Sequence, residues 1–345
     1  RDIGVTGVQT CALPISDAPK TYVLSAGAYS AKLDEVQPGF LSILDPSDAR
    51  VEPLPNSTGR RTALAKWLTD PANPLTHRVI VNRVWHYHFG RGLAASPSDV
   101  GVMGERPTHR ELLDWLTGSF IQDGYSLKKL HKRILLSAAW QQSSDYRADA
   151  AQADPANKLL WRFNRRRLEG ESIRDSMLAV SGLLNPKMFG PGVFPPLPPG
   201  MTSRGGWKAH EKPEKARRRS IYIFVRRNTR YPMIESFDMP DTHESCARRN
   251  NTVSSTQALE LLNNEQVMEW ARGLAARVAN DSGLTREAQI ERAYKLAYAR
   301  TPQAEEVRAA AEFLHRQTQL VGDPRTALTD FCHALLNSNE FVYLN

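Results

Sequence analysis

The stretch from Asn82 to Trp115, NRVWHYHFGRGLAASPSDVGVMGERPTHRELLDW, crowds aromatic, histidine, arginine and carboxylate side chains into a span that reads as helix, glycine turn and helix. Aromatic rings want burial while Arg and Asp want partners, so this mixture points to a polar network inside an aromatic shell. Its chemistry-bearing residues include Arg83, Trp85, His86, His88, Arg91, Asp99, Glu105, Arg106, His109 and Asp114. His86 and His88 project about 200° apart on a helix, so one metal ion does not easily take both; helical ligand pairs want a spacing of three or four. No metal is therefore expected, and an imidazole packed among rings and bonded to a carboxylate is the plainer reading. Carboxylates such as Asp99 beside His109 are the residue types of general acid/base catalysis, and burial against Trp115 would raise a carboxyl pKa toward neutrality. Internal pairing of Asp99 with Arg91 or Arg106 explains the same residues without catalysis.

Two further constellations lie downstream. Arg167, Glu169, Arg174 and Asp175 gather at a helix start, where Arg174 reaches Gly170 and Glu171 at helical spacing and Arg167 is placed to reach across the core. Between Phe237 and Asn264, Asp238, Asp241 and His243 superficially resemble a metal loop, but the alternating oxygens, glycine and bidentate Glu of a calcium hand are absent. Cys246 stands near Arg248 and Arg249, which would lower a thiol pKa and suit a nucleophile or redox group; an inert lone cysteine is the plainer alternative. Arg249 and Asn263 complete the candidate binding set. No G-x-S-x-G, P-loop, Rossmann glycine pattern or H-E-x-x-H occurs.

Helices must position these groups. A helical period starts at Arg61 with Ala63, Leu64, Trp67 and Leu68 on one face; DPANP breaks it, Pro74 opens the next helix, and Gly90 offers a left-handed cap. Thr108-x-x-Glu111 reads as a capping box, and Ser126 caps a helix over Leu127 to Trp140. Another helix spans Glu169 to Leu184. Residues 188–201, MFGPGVFPPLPPGM, are too rich in Pro and Gly for a regular element; such a loop usually lines a site or crosses a surface. Ile221 to Val225 is the best strand. Helices then start at Thr256 (running to Val278), Thr285, Thr301-Pro302 and Asp323-Pro324, the last carrying Leu328, Phe331, Cys332, Leu335 and Leu336 at bundle spacing. The expected fold is mainly α, an irregular multi-helix bundle with long Pro/Gly-rich loops and at most a small β-hairpin.

The 345 residues are 41% apolar and 24% charged, enough for one large or two modest cores, with no apolar run long enough to span a membrane. The net charge of +8 is spread over pairs and triplets such as Arg165 to Arg167, Arg217 to Arg219 and Arg226 with Arg227, not a one-sided stripe, so a nucleic-acid partner is not expected. Residues 1–16, with VTGVQTCALPI, read as translated sequencing adapter and are set aside with Cys11. That leaves Cys246 and Cys332, whose pairing the sequence leaves open. Residues 17–60 read as an irregular linker or arm with one short extended segment, Thr21 to Leu24; 61–345 form the helical domain, with a possible sub-boundary in 186–218.

NRVWHYHFGRGL, SDVGVMGERPTHRELLDWL, RRRLEGESIRDSMLAVSG, RRSIYIFVRR, TQALELLNNEQV and LLNSNEFVYLN resemble, in order, the motifs of the planctomycete domain of unknown function 1553, the "PSD one" domain, over about residues 21–345. The match carries over at His88, His109, Phe237, Asp238, Pro240, Glu244, Cys246, Arg248 and Arg249, but not at His243. NTVSSTQAL departs from the family's TNTPLQAL, which softens the turn before the helix. The resemblance implies an exported, extracytoplasmic multidomain protein, partnered by a neighbouring domain of unknown function and a cytochrome c-like domain. This fragment lacks C-x-x-C-H and carries no haem itself, so haem c would belong to an N-terminal domain. Function is expected to be a non-catalytic ligand- or partner-binding module, with the two polar-aromatic segments forming one cleft for a polysaccharide: Arg83, Trp85, His88, Arg91, Arg106, Arg167, Glu169, Arg174, Arg249 and Asn263 would bind. The alternative is a carboxylate-dependent polysaccharide hydrolase using Asp99, Asp238 and His109, whose carboxyls must lie roughly 5 to 9.5 Å apart.

Overall fold

A computed structural model describes residues 20–344 except 48, 56, 199, 202–205, 227–228 and 281–284. Residues 1–16 and Cys11 lie outside the described residues. The protein is mainly α, with two small two-stranded antiparallel sheets among the described residues. It divides into two compact units, Arg1–Trp140 and Gln141–Asn345; residues 186–218 lie inside the second.

In the first unit, β1 (Thr21–Leu24) pairs antiparallel with β2 (Lys32–Val36), Thr21 opposite Val36. The segment expected to be an irregular arm therefore holds a hairpin. Its second strand, KLDEV, is exposed throughout and carries no buried face to betray it. Helix α1 (Arg60–Thr69) starts after Gly59, where a Cβ would sit 1.9 Å from the carbonyl oxygen of Glu52 and φ is +74°. Its expected apolar face is not buried; Trp67 instead stacks flat on Phe40, centroids 4.8 Å apart. Helix α2 (Thr76–Phe89) opens two residues after Pro74 and closes at Gly90 with φ +78°.

With α3 (Arg110–Gln122) and α4 (Leu127–Leu135), α2 buries Val81, Trp85, Phe89, Leu113, Leu116, Phe120, Leu130 and Ile134. Buried Asn82 pins the loop after α2: its amide nitrogen donates to the Ala94 carbonyl and its oxygen accepts from the Ala94 amide, both at 2.9 Å. The Thr108/Glu111 capping box does not form. His109 occupies the cap position without a side-chain bond, and both the amide and the hydroxyl of Thr108 donate to the Leu93 carbonyl, at 2.9 and 3.3 Å. A tertiary acceptor has outcompeted the local one. Ser126 does cap α4, accepting from the Lys129 amide, but α4 ends well before Trp140.

The second unit contains α5 (Ala148–Ala153), β3 (Arg166–Arg167), α6 (Gly170–Val180), α7 (Pro213–Ala216), α8 (Pro232–Ser236), α9 (Ser255–Asn263), α10 (Glu265–Ala279), α11 (Arg286–Tyr298), α12 (Ala304–Val321), α13 (Pro324–Leu336), α14 (Asn339–Val342) and β4 (Tyr343–Leu344). Its core includes Ile173, Met177 and Leu178 of α6, Trp270, Leu274 and Val278 of α10, and Leu328, Phe331, Cys332, Leu335 and Leu336 of α13. β3 pairs antiparallel with β4, drawing the C-terminal segment beside Arg167.

The helix expected over 256–278 is two helices. Ser254 and Gln257 form a capping box that starts α9, and Asn264 breaks the run in an extended conformation, its oxygen accepting from the Gln266 amide at 2.8 Å to cap α10. Thr285 and Asp323 cap α11 and α13 as expected, whereas α12 starts at Ala304, two residues past Pro302. Ile221 to Val225 is not a regular strand. A 3-10 turn covers Ser220–Tyr222, and a single parallel bridge joins Val193 to Ile223. The Pro/Gly-rich loop has no regular element and is held by Arg218, which donates to the carbonyls of Lys187, Phe189 and Pro191 with its guanidinium 3.8 Å from the Tyr222 ring centroid.

Candidate functional site

The Asn82 to Trp115 residues do not assemble an acid/base site in the first unit. Trp85 is buried and stacked on Phe89, centroids 4.2 Å apart. Arg91 pairs with Glu105 at 2.9 Å rather than with Asp99, whose exposed carboxylate accepts from the Gly101 amide at 3.0 Å and so shapes its own turn. Arg106 is exposed and has no ion-pair partner among the described residues. Arg83 is half-buried, its Nε without a hydrogen bond. His109 Nδ1 lies 3.0 Å from the Thr108 hydroxyl, and Asp114 pairs with Arg78 at 2.7 Å. Trp115, expected to bury a carboxylate, is itself 56% exposed, with the Arg133 guanidinium over its ring. His88 meets His131, Nε2 to Nδ1 at 2.7 Å, a partner 43 residues away that sequence reading missed.

The second unit sets four sequence candidates, Arg167, Asp238, Arg249 and Glu169, in two charge clusters. Arg167 and Asp238 are 2.6 Å apart and both largely buried. Asp238 also accepts from the Thr252 amide at 2.9 Å and hydroxyl at 2.7 Å, while Arg167 donates to the Thr252 carbonyl and lies over the Phe237 ring. Asp238 takes a left-handed backbone, φ +63°, which Asp tolerates. Burial alone would push its carboxyl up, but the bonds from Thr252 and Arg167 outweigh it and the pKa falls below the ordinary carboxylate range. Next to this pair, Arg249 grips Glu171 through two bonds of 2.7 and 3.0 Å and approaches Glu169 at 3.6 Å. Gly170 between them lets α6 abut α8: a Cβ there would lie 3.0 Å from Phe237 Cβ and 3.2 Å from Ile234 Cα.

Arg174 stands apart from that network. It is fully buried, approaches Asp175 of its own helix at 3.6 Å, and donates to the carbonyls of Ala216 and Arg218 at 2.6 and 2.9 Å and to the Ser220 hydroxyl at 3.1 Å. Asp175 accepts from the Ser220 amide and hydroxyl, both at 2.7 Å. These bonds fix the segment before the 3-10 turn and are structural. Asp241 accepts from His243 Nδ1 at 2.8 Å and pairs with Arg230, so it does not converge with Asp238. No group of three His, Cys, Asp or Glu that could hold a metal occurs among the described residues. Cys246 is exposed and Cys332 buried, its thiol pushed up to about 12 by burial; both are free, so they do not pair.

Asn263 lines a groove of about 380 Å³ in this unit. Pro196, Leu197 and Pro198 of the Pro-rich loop form one side; Thr256, Leu259 and Glu260 of α9 and Gln266 of α10 form the other. Gln266 ties the sides together, donating to the Pro196 carbonyl at 3.1 Å and accepting from the Tyr231 hydroxyl at 2.8 Å. The Glu260 carboxylate accepts from the Asn264 side-chain nitrogen at 2.6 Å. The side chains of Thr256, Asn263 and Glu265 are exposed and make no hydrogen bond to other described residues. The ten candidate binding residues thus occupy separate places: a first-unit set, the Asp238 network, the buried Arg174 and this groove. The two segments expected to share one cleft fall in different units.

A family model described as PSD1, protein of unknown function (DUF1553), matches residues 60–314. No curated protein and no solved structure matches the chain. The family match covers well over half the residues and agrees with the ordered motifs, so the chain belongs to the DUF1553 family.

Proposed function

We propose that the chain is a non-catalytic binding module whose ligand, a neutral polysaccharide segment, lies in the groove between the Pro-rich loop and the α9–α10 junction. The observation that carries this reading is the groove's composition. Pro196, Leu197, Pro198 and Leu259 offer apolar surface to the C–H faces of sugar rings, while Thr256, Asn263 and Glu265 hold polar groups not committed to the protein. No aromatic ring lines it, and Trp85 is spent in the first-unit core, so stacking on tryptophan is not part of the mode. Glu260 and Glu265 disfavour sulfated chains by charge. A hydrolase reading gains no general acid from Asp238, whose carboxylate is held ionised, and its oxygens already accept from Arg167 and Thr252 rather than facing a substrate or water. The proposed setting, which rests on the family resemblance, is an exported protein acting outside the cytoplasm beside another domain of unknown function and a haem c-bearing domain.

Isothermal titration of the chain with neutral and sulfated polysaccharides tests this. Heat of binding is expected with a neutral polymer alone, weakened about tenfold, ~1.4 kcal/mol, by Asn263→Ala. No heat with any neutral polymer contradicts it, and release of reducing ends over time supports the hydrolase instead.

A further inference from the structure

We propose that His88 and His131 form a binding site for a divalent transition-metal ion of the zinc, nickel or copper type. His88 stands on α2 and His131 on α4, and their facing nitrogens are 2.7 Å apart with the rings inclined at 67°. Trp140 meets the His88 ring edge-on, centroids 5.2 Å apart, and orients it, while His131 is exposed and open to an arriving ion. A hydrogen held between two rings this close occupies the lone pair of the accepting nitrogen, so both facing nitrogens can serve as ligands once that hydrogen has left the bridge. Adjacent nitrogens bonded to one ion at about 2.1 Å stand ~3 Å apart in octahedral and ~3.4 Å apart in tetrahedral geometry. The nitrogens therefore part by about 0.3 to 0.7 Å, with a turn of both rings to aim their lone pairs at the ion.

On binding, two metal–nitrogen bonds form and two aqua ligands leave the ion. The bridging hydrogen passes by way of solvent to the far nitrogen of its own ring, which leaves that ring neutral with its facing lone pair free for the ion. Imidazole nitrogens select zinc, nickel and copper over calcium and magnesium, which prefer oxygen. No third His, Cys, Asp or Glu joins the pair among the described residues, so water completes the shell and the ion exchanges readily. The H-x-H spacing sets His86 on a different helix face and argued against a shared ion; the partner comes from another helix and was invisible to local spacing.

Titration of the full chain with Zn²⁺ and Ni²⁺ by calorimetry, with electron paramagnetic resonance on the Cu²⁺ form, tests the site. The expected result is one ion per chain, nitrogen couplings from two imidazoles, and affinity at least tenfold weaker in His131→Gln, an exposed change that leaves the core untouched. His88→Gln is expected to act alike, and His243→Gln in the other unit to bind as the parent does. Saturable binding that His131→Gln leaves unchanged, or none in the parent chain, overturns the proposal.

Discussion

Asp238→Asn separates a structural carboxylate from a catalytic one. The amide keeps the shape and tolerates the left-handed backbone, its oxygen can still accept from Arg167 and the Thr252 amide, and the Thr252 hydroxyl can turn to accept from its nitrogen. What disappears is the negative charge beside an almost completely buried guanidinium. Leaving a buried charge uncompensated costs roughly 3–5 kcal/mol, and the residual hydrogen bonds return part of it, so a loss of about 2–4 kcal/mol is expected. Arg167→Met should cost a comparable amount, and the double variant less than the two added, because each single change strands the other partner. Urea unfolding followed by circular dichroism, with m-values compared, measures all three. The folded-state pKa of Asp238 is depressed, so its contribution is complete above the unfolded carboxyl value near 3.9 and is lost as pH falls through the folded one. The gap between parent and Asp238→Asn should hold from pH 7 to 5 and close below about 4. A variant within about 0.5 kcal/mol of the parent at pH 7 refutes the reasoning.

Gly170→Ala places a methyl 3.0 Å from Phe237 Cβ at a backbone any residue adopts, so packing alone decides the sign; a loss of about 1–3 kcal/mol by thermal unfolding is expected, and an unchanged midpoint would contradict it. Arg218→Ala removes the donors that hold the carbonyls of Lys187, Phe189 and Pro191, and trypsin should then cut after Lys187 at least about tenfold faster. With a disulfide reagent, exposed Cys246 should react at once and buried Cys332, its thiol pushed up to about 12, only on unfolding; Cys246→Ser should remove one fast equivalent per chain.

Helix ends were legible in the sequence where a local device sets them. Ser126, Thr285, Asp323 and Gly90 act on their own turns, and the spacing of Leu328, Phe331, Cys332, Leu335 and Leu336 already describes a buried face. Failures arise where a side chain finds a distant partner. Thr108 abandoned the capping box for the Leu93 carbonyl, 15 residues back, and Arg174 takes its hydrogen-bond acceptors 42 to 46 residues on. The break at Asn264 was hidden because the apolar period runs through it, and only the capping bond to Gln266 reveals the join. Charge pairing was readable in kind but not in partner: Arg167 reaches across as expected, to Asp238, while Arg91 chose Glu105 over Asp99. The Pro-rich composition foretold an irregular loop, which borders a groove. The groove itself depends on Gln266 meeting Pro196, 70 residues earlier, which no local pattern encodes.

The most direct measurement is the side-chain amide signal of Asn263 in a ¹⁵N-edited spectrum, assigned by its loss in Asn263→Asp, followed while a neutral oligosaccharide is added. Binding in the groove should move that pair of resonances saturably, along with the backbone amides of Thr256 and Gln266. Saturation elsewhere on the chain with the Asn263 signal still, or no shift at any concentration, contradicts the assignment of the groove as the ligand site.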